Sequence, residues 1–396
     1  MDLRKNNRED SHKIDEFICL LLSLTIYLPG SGKGNIIRSV VLFAAFLVVL
    51  FRKNLIFNAE ELTIPVLMIL SPLFSGAFVL LCERSINTGM ISHEISRMLY
   101  CSVLILTVSN LSISINTAYI ASVLALVPNF LLQFMQYSGI EWAFNFIRNN
   151  YVLPEDTLVH FNLARLTGAS FRSGSIFLNP NVYMIIPLIS LCVFISMDAQ
   201  KPSLINTILM GCSCLSCFLT GSRTAFIVMV VILSVYIFKY SSSNRKIIFA
   251  FAVILFLAIF GNSLVKNSRG LNVSELGSFT GKFEGLFKYF RTVVNPIYLL
   301  TGSIGTSVRV QIDAEIGYIY SWYGILGLYW YAKYYKAIIK NNSDLVFFSK
   351  VIAISCGLVA MTASVLLCMP IYSYVGMIAF STIRLSKLQN YEENIN

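Results

Sequence analysis

Charge is scarce in this sequence. Asp, Glu, Lys and Arg together supply only 13% of its 396 residues, whereas 56% are hydrophobic. An ordinary soluble chain carries about twice that share of charge. With a mean hydropathy of +0.71, the apolar residues exceed what one water-facing core can hide, so lipid must solvate much of the surface. That excludes a soluble enzyme with a membrane tail. Other absences narrow the chemistry. There is no G-x-S-x-G elbow and no Walker loop, which excludes the lipase and ATPase classes. Neither long hydrophilic segment holds a D-x-D pair, and of the three histidines only His160 lies in one, so the residues of a metal-dependent transferase are missing and no cofactor is implied. The charged stretch Met1–Glu16 runs into Phe17–Leu28 without a small-residue cleavage site, which reads as a retained first span. No internal repeat or low-complexity tract is present.

The nine cysteines form no disulfide framework, since most fall inside apolar runs. Cys212, Cys214 and Cys217 have a ligand-like spacing, but within an apolar run they read as small, soft packing. Lys and Arg outnumber Asp and Glu by 30 to 20, a net charge of +10. In a membrane protein this excess belongs to cytoplasmic loops and implies no nucleic acid.

Apolar runs fall near 17–29, 36–51, 62–82, 98–113, 117–137, 182–197, 203–220, 224–238, 247–261, 314–332, 350–368 and 370–384. The expected fold is an all-α polytopic integral membrane protein in a lipid bilayer, one transmembrane domain over 1–396 with about twelve spans. With the N-terminus inside, the cytoplasmic segments carry sixteen basic residues. The short external turns carry five: Lys33, Arg38, Arg84, Arg97 and Arg223. This asymmetry puts both termini in the cytoplasm and two long segments, 138–181 and 262–313, outside. In the second, Phe283, Leu286, Phe287, Phe290 and Val294 recur at helical spacing opposite Lys282, Glu284, Lys288 and Arg291. That is an amphipathic helix, lying in the interface or capping the bundle.

Arg223 sits in Gly221-Ser222-Arg223, a turn between two spans. Gly and Ser let the backbone approach a ligand, the next helix presents its N-terminus, and Arg supplies a bidentate fork, which together suit an anion. A lipid-headgroup contact or a helix C-cap is the plain alternative. The first long segment ends with Arg165 and Arg172, followed by Gly174 and Asn179-Pro180-Asn181, with no acid among them. Pro and Asn there are accounted for by the start of a helix; the arginines have no such local account. In the second segment Arg291 precedes Gly302 by eleven positions, Gly302–Gly305 reads as a flexible turn, and Arg309, Asp313 and Glu315 follow. Arginines acting without metal suit a reaction that expels pyrophosphate, because they hold charge building on the leaving group.

At these residues the chain resembles the Wzy-type O-antigen polymerases, within the larger group that includes the O-antigen ligases. The matching elements are Arg172, Gly174, Asn179–Asn181, Gly221–Arg223 and the Arg291/Gly302 spacing. The first segment departs from the pattern, since Ile176 and Tyr183 stand where a glycine would follow Arg165 and Arg172. The resemblance implies a GT-C-like glycosyltransferase of the bacterial inner membrane. It would transfer a growing glycan from undecaprenyl pyrophosphate to a lipid-linked repeat unit at the periplasmic face, with a chain-length regulator as a possible partner. Arg172, Arg223 and Arg291, with Arg165 and Arg309 nearby, would hold the pyrophosphate. Asp313, or Glu315, would accept the acceptor hydroxyl proton, and Tyr289, Tyr298 and Trp142 would offer faces to sugars. The rival readings are an O-antigen ligase, disfavoured because 262–313 holds no histidine, and a lipid-linked sugar flippase, which would need ionisable residues buried among spans that read as nearly charge-free.

The topology has a direct test. In a cysteine-free background, cysteines replacing Thr157 and Ser278 should react with an impermeant thiol reagent in intact cells. Those replacing Ser242 and Asn342 should react only after lysis; labelling at Ser242 in intact cells would overturn the assigned sidedness.

Overall fold

The computed structural model describes residues 2–29, 32–52, 59–83, 86–151, 173–177, 180–240, 285, 287–291, 293, 295–306, 315–341, 352, 355–357 and 369–384. Helices are α1 (Asp2–Leu24), α2 (Gly32–Arg52), α3 (Ala59–Cys82), α4 (Thr88–Val108), α5 (Ile115–Tyr137) and α6 (Glu141–Tyr151). There follow α7 (Ile185–Gln200), α8 (Leu204–Leu219), α9 (Arg223–Tyr240), α10 (Ile297–Thr301), α11 (Glu315–Asn341) and α12 (Met369–Phe380). Among the described residues five stretches, Lys33–Arg52, Leu62–Cys82, Thr88–Val108, Ile115–Tyr137 and Asn181–Gln200, are long and apolar enough to cross a membrane, and Leu204–Leu219, Thr224–Phe238 and Ile371–Phe380 are shorter apolar helices. The chain is a multi-pass membrane protein.

Cross-links between helices set their directions. Asp15 of α1 accepts a hydrogen bond from the Ser112 amide at 3.1 Å, and Tyr27 donates to the carbonyl of Leu124, so α1 and α5 run parallel. The second bond has a clear cause. Pro128 inside α5 has no N–H for the carbonyl four residues back, and the Tyr27 phenol takes its place. Ser102 Oγ donates to the Pro65 carbonyl at 3.0 Å while Gly76 faces Ile91, so α3 and α4 are antiparallel. A short parallel pair, β1 (Ser112–Ser114) with β2 (Thr382–Arg384), ties the chain after α12 to the link between α4 and α5. This end of the bundle also holds Asp15 and Arg52, which form an ion pair at 3.8 Å. The opposite end holds Tyr27, the start of α4 and the end of α5.

Several boundaries differ from the sequence expectation. The run at 98–113 belongs to a helix that already begins at Thr88, capped by Asn87, whose side chain accepts from the Met90 amide at 3.0 Å. Lys33, Arg38 and Arg97 lie in helices rather than in external turns. Arg38 is 1% exposed and donates to the carbonyls of Leu28 at 2.7 Å and Thr25 at 3.4 Å. A cation at these helix-end carbonyls is electrostatically favourable. The runs at 247–261 and most of 350–368 lie outside the described residues.

The largest departure is α11. Hydropathy treats 314–332 as one crossing, but the helix breaks at Gly324, where φ is 61° and ψ is −150°. Its two halves fold back on each other. A Cβ on Gly327 would lie 2.9 Å from the Ile319 carbonyl oxygen, whereas in a straight helix residues eight apart are about 12 Å apart. Such a backbone conformation is open essentially only to glycine. A Cβ at position 324 would also sit 2.1 Å from the Leu300 carbonyl oxygen.

Gly324→Ala should therefore destabilise the fold by at least about 1–3 kcal/mol through backbone strain alone. Thermal unfolding of the detergent-purified protein should show a clear drop in midpoint. An unchanged midpoint would mean that the doubled-back α11 is not the folded arrangement.

Candidate functional site

Two segments re-enter the bundle at the end opposite the β1–β2 pair. The first, Ser173–Phe177, closes the first long segment. It is held by a polar stripe on α5, where Asn129, Gln133 and Gln136 share one face at intervals of four and three. Gln133 Nε2 donates to the carbonyls of Ser173 at 3.2 Å and Ser216 at 3.0 Å. Its Oε1 accepts from Ser216 Oγ at 2.6 Å, and the Ser216 hydroxyl is also 2.9 Å from that of Tyr183. Ser173 Oγ donates to Gln136 Oε1 and Ser175 Oγ to Asn129 Oδ1. Ser175 has a φ of 52°, a strained conformation for a non-glycine residue that its buried hydrogen bond helps to hold.

The Ser173 amide also donates to the Leu219 carbonyl at 3.3 Å. That contact sets the first re-entry beside the turn Gly221-Ser222-Arg223. Gly221 takes a φ of 57°, and α9 starts at Arg223 with Ser222 Oγ accepting from the Ala225 amide at 3.4 Å. The helix N-terminus expected from the sequence is there. For Arg223 the described structure is its backbone. Arg165, Arg172, Arg309 and Asp313 lie outside the described residues.

The second re-entry is Gly302–Thr306, all buried. It is a pinned wedge, in contrast to the flexible turn expected. The break in α11 leaves helix-end carbonyls without intrahelical donors, and the wedge supplies them. Ser303 N and Ser303 Oγ both donate to the Ser321 carbonyl at 2.9 Å. Gly302, at φ 82°, packs so closely that a Cβ would lie 2.2 Å from the Trp322 carbonyl oxygen. That carbonyl accepts from Ser75 Oγ at 2.9 Å. The Gly305 carbonyl accepts from the Asn87 amide at 3.0 Å, which places the wedge at the start of α4, the same end as the first re-entry.

The proposed sugar faces are redistributed. Tyr289 is 1% and Tyr298 2% exposed, so neither ring is open to a ligand. The Tyr289 hydroxyl donates to Ser321 O at 3.1 Å and Tyr298 O at 3.3 Å, because these are further carbonyls near the broken helix. Tyr298 donates to Glu83 at 3.0 Å, and burial, then that hydrogen bond, push its phenol above the ordinary value. Trp142, on α6, is 59% exposed and stacks on Phe146. Phe287 and Phe290 are also exposed, which suits a helix lying in the interface better than one capping the bundle. Arg291, in the same short helix, is exposed.

Glu315 opens α11 and is fully buried at 0% exposed. Because the helix doubles back, its carboxylate is within electrostatic reach of Tyr331, Tyr334, Tyr335 and Tyr372. Tyr331 is about 10 Å along the helix from the break, so Glu315 lies deeper than the two re-entries.

One cluster escaped the sequence reading. On α4, Arg97 pairs with Glu94, with side chains 15% and 3% exposed. Arg97 Nη2 also donates to the hydroxyls of Tyr318 at 3.0 Å and Tyr323 at 3.3 Å, and Tyr323 donates to Glu94. The guanidinium lies 5.1 Å from the Tyr318 ring centre. The signal was a Glu and an Arg three residues apart, one helical turn, just ahead of an apolar run; reading Arg97 as a loop residue hid it. No protein-family model matches the chain, and no curated protein matches it. The functional reading therefore rests on the residues themselves.

Gln133 is the keystone of the first re-entry. Gln133→Leu keeps the volume but strips partners from Ser173 and Ser216, and each buried polar group so orphaned costs about 1–3 kcal/mol. The variant should melt lower and be cut faster by protease after α6. A wild-type cleavage rate would show that the stripe does not hold Ser173–Phe177.

Proposed function

We propose that this protein polymerises lipid-linked oligosaccharide repeat units, in the manner of the Wzy-type polymerases it resembles. It transfers the growing glycan from undecaprenyl pyrophosphate to the non-reducing sugar of the next lipid-linked unit, at the periplasmic face of the bacterial inner membrane. The observation that most supports this reading is a shared location. Residues 173–177 of the first long segment, residues 302–306 of the second and the Gly221–Arg223 turn lie at one end of a multi-pass bundle, where an anionic headgroup and a sugar acceptor can meet. In this scheme about twelve spans make a GT-C-like domain with cytoplasmic termini. Arg172, Arg223 and Arg291, joined by Arg165 and Arg309, hold the pyrophosphate, and Asp313 takes the hydroxyl proton as the glycosidic bond forms. Glu315, buried among tyrosines, serves the fold.

A lipid-linked sugar flippase is the second reading. Glu94 and Glu315 are buried and Arg97 is largely so, and ionisable groups of this kind mark substrate pathways in membranes. A lipopolysaccharide gel of a deletion strain separates the two: one repeat per core means polymerase, and undecorated core means flippase or ligase. Within the polymerase reading, Arg223→Lys and Arg291→Lys keep the charge but lose the fork, and loss of one preorganised donor costs about 100- to 1000-fold in rate. Both variants, and Asp313→Asn, should collapse the ladder toward single repeats at normal protein levels. Full ladders from all three would remove these residues from the chemistry.

A further inference from the structure

The Glu94–Arg97 cluster has features that packing alone does not require. The Arg97 side chain is 15% exposed, and a guanidinium facing hydrocarbon is costly, so any open part of its guanidinium needs a polar neighbour. Arg97 Nη2 already serves Glu94, Tyr318 and Tyr323. Its Nε is buried and has no hydrogen-bond partner, and buried donors are rarely left so. Tyr318, beneath the guanidinium, stacks on Trp322 with ring centres 4.6 Å apart and planes 22° apart. Both rings are half-buried, which leaves part of an aromatic strip uncovered beside a carboxylate and a guanidinium.

The charges decide what such a strip recognises. Glu94 already neutralises Arg97, so an anion gains little here, and a cation meets Arg97. A polyol suits this arrangement, since the guanidinium, held in place by the buried Glu94, donates to ring and hydroxyl oxygens, and the aromatic face covers the apolar C–H face of a pyranose. Few polar groups converging on an aromatic wall is the general form of a small-molecule site. The place also fits. Arg97 is about 13 Å along α4 from its first residue, and the wedge at Gly305 contacts Ile91, less than two turns earlier on the same helix.

We propose that Arg97, Tyr318 and Trp322, with Arg97 oriented by the buried Glu94, form a subsite for an uncharged pyranose of the lipid-linked oligosaccharide. This rests on the reading of the protein as acting on such oligosaccharides, and it moves sugar recognition from Tyr289 and Tyr298, whose rings are buried, to a strip between α4 and α11.

Trp322 is its own reporter. In purified full-length protein carrying Trp142→Phe and Trp330→Phe, it is the sole tryptophan. The probes are the repeat-unit oligosaccharide, released from the host's lipid carrier by mild acid, and inorganic pyrophosphate. The oligosaccharide should change Trp322 fluorescence saturably and pyrophosphate should not. Glu94→Gln and Arg97→Lys should weaken the oligosaccharide response by about tenfold or more, the usual effect of losing a charged hydrogen bond. A response to pyrophosphate alone, or none to the oligosaccharide, overturns the subsite even if both variants fail to fold. Responses in well-folded Glu94→Gln and Arg97→Lys equal to that of the parent also overturn it. A saturable response in a protein whose deletion leaves the lipopolysaccharide ladder intact supports the subsite and sinks the polymerase reading. A lost ladder with no response does the reverse.

Discussion

Inside a bilayer every backbone amide and carbonyl must find its partner within the protein, and the break in α11 makes that demand acute. At Gly324 the helix turns back, and the carbonyls of Ser321 and Trp322 lose their intrahelical donors. Ser303, Tyr289 and Ser75 supply replacements. Meeting that demand fixes the depth of the Gly302–Thr306 wedge, the burial of Tyr289 and the height at which Tyr318 and Tyr323 reach Arg97. Glycines at 302 and 324 are needed because the two backbones approach within the space a Cβ would fill.

The first re-entry follows the same rule. Pro128 leaves one carbonyl of α5 open to Tyr27, and the amide side chains of Gln133 and Asn129 hold Ser173 and Ser175 at the start of a single 3-10 turn, Ser175–Phe177. Ser173–Phe177 and Gly302–Thr306 are thus both tied down at the end that carries the start of α9. The ionic pair on α4 adds a different constraint. Breaking a buried pair by removing one partner costs about 3–5 kcal/mol, so Glu94 and Arg97 stand or fall together.

Much of the helical framework was legible in the sequence. The apolar runs that became α2, α3, α5 and α7, and the helix start at Arg223, follow from hydropathy and from Gly and Ser at a turn. The boundary of α4 was not, because Glu94 and Arg97 depress hydropathy where they occur, and only their mutual pairing makes burial tolerable. The fold-back of α11 was hidden for a related reason. Glycine at 324 is as ordinary in sequence as the glycine at 211, which has nothing within 4 Å of a Cβ, and its conformation depends on what packs against it.

The sequence by itself determined that the chain lives in lipid and that it crosses repeatedly. These follow from composition and local periodicity, which act on each segment independently. Only the tertiary structure decided that Tyr289 and Tyr298 face inward and that Glu315 lies deep among tyrosines. It also decided that Arg97 belongs to a buried cluster and that both re-entries share one end. Each of these depends on contacts between residues far apart in the chain, and such contacts are set by packing and by hydrogen-bond satisfaction across helices, to which no local pattern in the sequence responds.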